Sequence, residues 1–299
     1  MISGRQTLAS IEQTIAEERS KTDAVGQRVE ALSASLVELQ QADARDYREL
    51  AKVRLDHLAG GQLLQHLNRT EQQVLALLER RETAAAELAE RLATLVDSVA
   101  EPHVRALLGR ALDGSREPGA TFAVAPAAVR NHHAYRHGLL EHSVIVAEAA
   151  EGVAARFASV DRDLVVAGAL LHDLGKTLAY TSDGISPQMT DVGRLHGEIV
   201  MGHDLVRDLI AEDQDFPPEV AVRLLHIIVA HHGMREKGSP VVPQTREAVI
   251  VHYCDDMTAR IGAIDDAEAA APLGERWTSR IFMIDAPAYL GPRDEPDEL

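Results

Sequence analysis

Between Thr7 and Val99 the chain has no proline, and a single cysteine, Cys254, stands in the whole sequence. One thiol rules out an internal disulfide framework and suits a reducing compartment. Aromatic residues are scarce at 3%, while Ala, Leu, Glu, Arg and Gln abound, a mix that favours helix over sheet. No run approaches the roughly 18 uninterrupted apolar residues of a membrane span, and Met1–Ser20 contains no apolar stretch of the kind a secretory signal needs. A soluble, cytoplasmic protein without a membrane partner is therefore expected. Basic residues are outnumbered too: Lys and Arg total 30 against 47 Asp and Glu, a formal net charge of −17. That balance weighs against a general DNA-coating role, because the chain as a whole gains no attraction to a phosphate backbone. Contact with a strand end or a nucleotide then needs a local basic patch or a metal.

What is present falls into two halves. Through the first, apolar residues follow alternating steps of three and four: Leu8, Ile11, Ile15, Val25, Val29, Leu32, Leu36, Leu39, Leu50 and Val53. This is the heptad rule of a coiled coil, interrupted by Glu18, Thr22, Asp43 and Asp46 at core positions. Gly60-Gly61 can break the helix, so that Gln62–Val99, with Leu63, Leu67, Val74, Leu78, Leu88, Leu92 and Leu95, folds back as a second arm. Residues 1–100 thus read as a helical hairpin or as an intermolecular coil. The second reading implies a homo-oligomer, and either offers a surface for a protein partner. Residues 101–124 read as a linker with a short helix, and 125–299 as an all-α bundle.

In that bundle the histidines crowd together: 11 of the 14 lie between His132 and His252. Four pieces stand out. Asn131–His142 leads into an apolar helix. Leu164–Leu171, wholly apolar, ends in His172-Asp173-Leu174-Gly175-Lys176. Leu195–Ile210 carries His196, Glu198 and His203. His226–Gly233 contains the pair His231-His232 and is followed by a helix bearing Asp255-Asp256. Adjacent ligands at the end of a rigid apolar helix, where a glycine turns the chain away, can reach one ion together. A buried Asp otherwise lacks a counter-charge, so a metal is its natural partner. Imidazole and carboxylate without thiolate suit Mn, Mg, Fe, Co or Zn in hydrolysis. The blander readings are that His226 and His252 are structural and that Cys254 is a small core residue.

The order His142, His172-Asp173, Asp255 resembles that of the HD phosphohydrolase superfamily. The segments HHAYRHGLLEHS, GALLHDLGK, IIVAHHGMREKGSPVVP and EAVIVHYCDDM are similar to the HD domain of YhaM-type 3′–5′ exoribonucleases. The resemblance covers roughly residues 125–263, and the heptad-like segment stands where that family carries an OB-type nucleic-acid domain. It implies that His142, His172, Asp173 and Asp255 hold one divalent ion, and that Asp173 and His231 reach a second. Glu198 or His196 would complete that second site, with His203 behind them. Asp173 and Lys176 would serve catalysis, Lys176 touching substrate phosphate or assisting the leaving group. His132, His133, His137, His232, Arg235 and Lys237 are candidates for substrate binding. The activity implied is metal-assisted attack of water on phosphorus, as a phosphodiesterase or 3′–5′ exonuclease on RNA, single-stranded DNA or short oligonucleotides. The alternatives are a nucleotidase or cyclic-nucleotide hydrolase, and a non-catalytic scaffold whose HD domain binds a nucleotide.

Overall fold

The computed structural model describes residues 82–129, 133–181, 187–272 and 274–292. The hairpin or coiled coil expected from Leu8 to Leu78 lies outside them, as do His132 and the acidic tail Arg293–Leu299. Among the described residues every regular element is a helix. In chain order these are α1 (82–97), α2 (Pro102–Leu112), α3 (Gly119–Val124), α4 (Gly138–Ala154), α5 (Arg162–Leu171), α6 (Lys176–Ala179), α7 (Asp191–His196), α8 (Glu198–Ala211), α9 (Pro218–Ala230) and α10 (Arg246–Ala270), with a 3-10 turn at Arg235–Lys237. Isolated antiparallel bridges, Tyr180 with Met189, Trp277 with Tyr289 and Ile281 with Ala286, are the only extended pairings described. None of the described helices is long and apolar enough to cross a membrane.

The organising element is α5. From Leu164 to Leu171 every residue is buried, the signature of a helix surrounded on all sides. It packs against α2, α4, α9 and α10. Its start is set by Asp161, whose carboxylate accepts the Leu164 N–H at 3.2 Å. At roughly 1.5–3 kcal/mol for each large apolar side chain removed from water, the helix is held as a fixed post in the bundle. Its C-terminal end therefore has one position, and His172-Asp173 stands there.

The helices around it are cut by local rules. Pro102 opens α2 behind a Glu101 cap, and Thr190 and Thr245 cap α7 and α10 through the Gly193 and Ala248 amides. The end of the heptad-like pattern has a different destination from its own seam. Leu88, Leu92 and Leu95 of α1, then Val99, are buried in the same core as α4 and α5. Arg91 of α1 also donates to Glu148 of α4 at 2.8 Å.

Candidate metal centre

Two histidines are aimed by the same device. At the end of α5, His172 Nδ1–H donates to the Ala169 carbonyl at 2.7 Å; at the end of α9, His231 Nδ1–H donates to Ile228 at 2.7 Å. A carbonyl only accepts, so the proton sits on Nδ1, leaving the Nε2 lone pair bare and pointed inward. His142 reaches the same point from the buried face of α4, and Asp255 from α10. His142 Nε2 lies 3.2 Å from His172 Nε2, 3.4 Å from Asp173 Oδ2 and 3.1 Å from Asp255 Oδ1. His172 Nε2 is 3.1 Å from Asp173 Oδ2 and 3.8 Å from Asp255 Oδ1. Donor atoms about 2.1 Å from one ion sit about 3.0–3.4 Å from each other, whether the ion is octahedral or tetrahedral. Four of the five spacings are of that size, and the His172–Asp255 one is longer at 3.8 Å.

Two more atoms point the same way. Asp173 Oδ1 and His231 Nε2 are buried with no hydrogen-bond partner among the described residues, and they face each other at 3.6 Å. A carboxylate oxygen and a bare imidazole nitrogen attract a common cation, not one another. The donor set therefore fits a divalent ion bound by His142, His172, Asp173 and Asp255, with Asp173 and His231 turned toward a neighbouring position.

The electrostatics agree. Burial opposes ionisation of both carboxylates, yet the Lys176 ammonium holds Asp173 well below the usual range, and a hydrogen bond from His142 lowers Asp255 likewise. Burial likewise works against a charged His142, but hydrogen bonds to Asp173 and Asp255 push it up to about 9. A buried carboxylate, Asp173, and a part-buried one, Asp255, thus draw positive charge to this spot. Lys176 supplies part of it, its Nζ donating to Asp173 Oδ2 at 2.6 Å, and its pKa is raised despite burial by that carboxylate. The turn that carries Lys176 can exist because Gly175 has no side chain: a Cβ there would lie 2.0 Å from the Glu198 carbonyl oxygen of α8.

Around the cluster the predicted residues separate. Glu198, the first residue of α8, lies 3.9 Å from His232 Nε2. His196 is exposed at the end of α7, and Gly197, at φ +78°, turns the chain between the two. His203 faces Asp204. His133 rests near the His142 ring, centroids 5.7 Å apart, and bonds to the Tyr135 hydroxyl. His137 is spent elsewhere, on the Ala123 carbonyl and Glu82. His232 is held by the Lys237 carbonyl, Lys237 pairs with Asp256 at 2.8 Å, and Arg235 is exposed. His252 donates to the His231 carbonyl at 2.7 Å, its ring lying where a Gly233 Cβ would be. It thereby fixes the turn that carries His231.

Over the cluster opens a cavity of about 460 Å³, whose lining includes His142, Asp173, Lys176, Asp255, Arg260 and Phe282. With His142 given over to a metal, its other charged groups balance, Lys176, Lys237 and Arg260 against Asp173, Asp255 and Asp256, so a bound divalent ion would tip it positive and receptive to phosphate. Phe282 and Met283 were not foreseen from sequence. The one available signal was that a chain so poor in aromatics places Trp277, Phe282 and Tyr289 within one short segment.

A family model described as "HD domain" matches residues 139–260. Residues 139–260 form an HD domain. The HD segment is part of a longer likeness, 38% identical over 175 residues, to the "3'-5' exoribonuclease YhaM" of Bacillus licheniformis, covering 58% of this chain and 54% of that protein. The chain thus spans about half the length of that curated relative. No solved structure matched the chain. The HD domain includes His142, His172, Asp173, His231 and Asp255, and it ends before the segment that bears Phe282.

Proposed function

We propose that the protein is a metal-dependent phosphodiesterase that shortens single-stranded nucleic acid from the 3′ end by hydrolysis. The observation that carries this reading is the convergence of His142, His172, Asp173 and Asp255 donor atoms at one buried point beneath an open cavity. The 3′–5′ direction and the RNA substrate are carried over from the printed name of the relative, which this chain matches over part of its length.

A divalent ion at the cluster would supply Lewis acidity, lowering the pKa of water and neutralising phosphate charge. The chain's own groups do the rest. His172 and His231, locked by their backbone hydrogen bonds, present unprotonated Nε2 atoms as ligands. Asp173 uses one oxygen toward His142, His172 and Lys176 and leaves the other toward His231. Lys176, kept cationic by Asp173, stands where negative charge grows on the phosphoryl oxygens during attack. Lys237 and Arg260 line the same cavity and suit the phosphates that flank the scissile one. Glu198 and His232 form the side from which a second ion would be completed.

The test is direct. Metal-loaded protein is incubated with Mn²⁺ and 5′-labelled single-stranded RNA, single-stranded DNA, and mononucleotides. Stepwise loss of residues from the 3′ end of RNA is expected. Phosphate release from mononucleotides alone would replace this reading with a nucleotidase. No turnover, with a nucleotide-dependent rise in melting temperature, would replace it with a binding scaffold. The variants His172→Ala and Asp173→Ala should abolish hydrolysis, and retained turnover would place the chemistry elsewhere. Sedimentation of the full chain tests the homo-oligomer expected from its N-terminal heptads.

A further inference from the structure

The segment after α10 returns across the molecule as a strap. Trp277 bridges Tyr289, and Ile281 bridges Ala286, so residues 277–289 form a narrow antiparallel loop closed by a tight turn at 282–285. Its inward side chains, Thr278, Ile281 and Ala288, are buried against the body. Arg276 bonds the Tyr289 hydroxyl at 2.7 Å, and the Trp277 and Tyr289 rings meet at 4.9 Å, which closes the base of the strap. Near the tip, Arg260 of α10 donates to the Met283 carbonyl at 2.7 Å while its other nitrogens hold Asp256. The tip is therefore fixed to the helix that bears Asp255.

Phe282 opens that turn, directly after the buried Ile281. Phe282 is 95% exposed, the most exposed of the large apolar side chains described. It also lines the cavity shared by His142, Asp173 and Asp255. An aromatic ring held in water by an anchored turn, at the rim of a phosphate-receptive cavity, gains nothing for the fold. It offers a flat apolar face to whatever enters.

We propose that Phe282 is the stacking platform for a nucleobase at the strand end, one of the two nearest the scissile phosphate, and that Arg260 positions it by holding Met283. The proposal rests on the nuclease reading above and extends it to how the substrate is recognised. Every nucleobase presents a π-face, and stacking on an aromatic side chain is strong but sequence-tolerant. The cavity rim carries cations for phosphates and this ring for a base, so selection acts on the presence of a base and not on its identity.

The experiment uses the full-length, Mn²⁺-loaded protein and a single-stranded oligoribonucleotide, compared with the same oligomer abasic at either of its two 3′-terminal positions. For the wild type, loss of the base at one of these positions should raise KM about tenfold with kcat kept within about twofold. Phe282→Ala should raise KM for the intact oligomer to the abasic value and remove the difference between the two. Phe282→Leu, apolar but without a π-face, should behave like the alanine variant, and Phe282→Trp should restore the wild-type KM. Because the side chain is exposed, all three variants should melt with the wild type. An unchanged KM in Phe282→Ala, or a fall in kcat alone, would overturn the platform while leaving the nuclease intact. If the wild type hydrolyses no oligonucleotide at all, the nuclease reading falls first and the platform falls with it.

Discussion

At the scale of single residues, the centre depends on atoms that are missing as much as on those present. Gly175 adopts φ −62°, a conformation open to any residue, so backbone freedom is not its reason. Its reason is contact: the Glu198 carbonyl and the Gly202 amide occupy the space a Cβ would need. Gly175→Ala should therefore push α8 away from the Asp173–Lys176 turn, at a cost of about 1–3 kcal/mol for an overpacked contact. The measurable result is a lower melting temperature together with weaker Mn²⁺ binding by titration. Wild-type affinity in a destabilised variant would show that the contact supports the fold alone. The sequence made the ligand types legible, because His172-Asp173 at the end of an apolar run has few other uses. It could not choose between Glu198 and His196, since Gly197 at positive φ separates their directions within one step. Nor could it show that His137 turns away toward Ala123 and Glu82, a matter of which carbonyl lies within reach.

At the scale of elements, the site needs α10 held in register with α4 and α5, and one carboxylate does much of this. Glu247, in the first turn of α10 and 3% exposed at its side chain, accepts the Asp161 N–H at the start of α5 and the Arg223 guanidinium of α9, both at 3.0 Å. It joins three of the four helices that carry or precede ligands. Glu247→Ala leaves the Asp161 N–H without its acceptor and Arg223 with only its longer contact to Asp161 Oδ2 at 3.6 Å, and should lower stability by about 1–3 kcal/mol. Glu247→Gln, which keeps an acceptor oxygen, should cost less. Denaturant unfolding measures both, and equal losses would mean the packing of the side chain matters more than its bonds. A second tie, His103 of α2 with Asp213 beyond α8, gives a pH-dependent term. The hydrogen bond to Asp213 raises the His103 pKa, so its contribution is complete below the unfolded value near 6.5 and is lost as pH rises through the higher folded value. Asp213 is shifted down by the same bond, so its share is lost only in acid. Melting temperature should fall from pH 6 to pH 9 more in the wild type than in His103→Gln; parallel curves would rule the pair out. Helix type and order could be read from periodicity and caps. The strap could not, because isolated bridges at Trp277 and Ile281 and the turn that follows them leave no period to detect.

At the scale of the whole molecule, the candidate ligands arrive from α4, the ends of α5 and α9, and α10, far apart along the chain. An ion at their meeting point would cross-link the bundle, and unfolding would have to release it. Binding to the folded state alone stabilises by about 2.7 kcal/mol when the ion is at a hundred times its dissociation constant. For a domain of this size that corresponds to a rise of about 5–11 °C in melting temperature. The chain's charge of −17 complicates the measurement, since any salt screens its self-repulsion and gives some stability without binding. The comparison is therefore made at matched ionic strength, MnCl₂ against KCl, with Asp173→Asn beside the wild type. The variant keeps the shape of the side chain and the same surface, but removes the charge shared by His142, His172 and Lys176 and turned toward His231. The Mn²⁺-specific rise should collapse in Asp173→Asn while the response to KCl stays the same in both proteins. Equal Mn²⁺ shifts would mean the ion acts on the acidic surface at large, and the buried cluster would lose its claim to bind it.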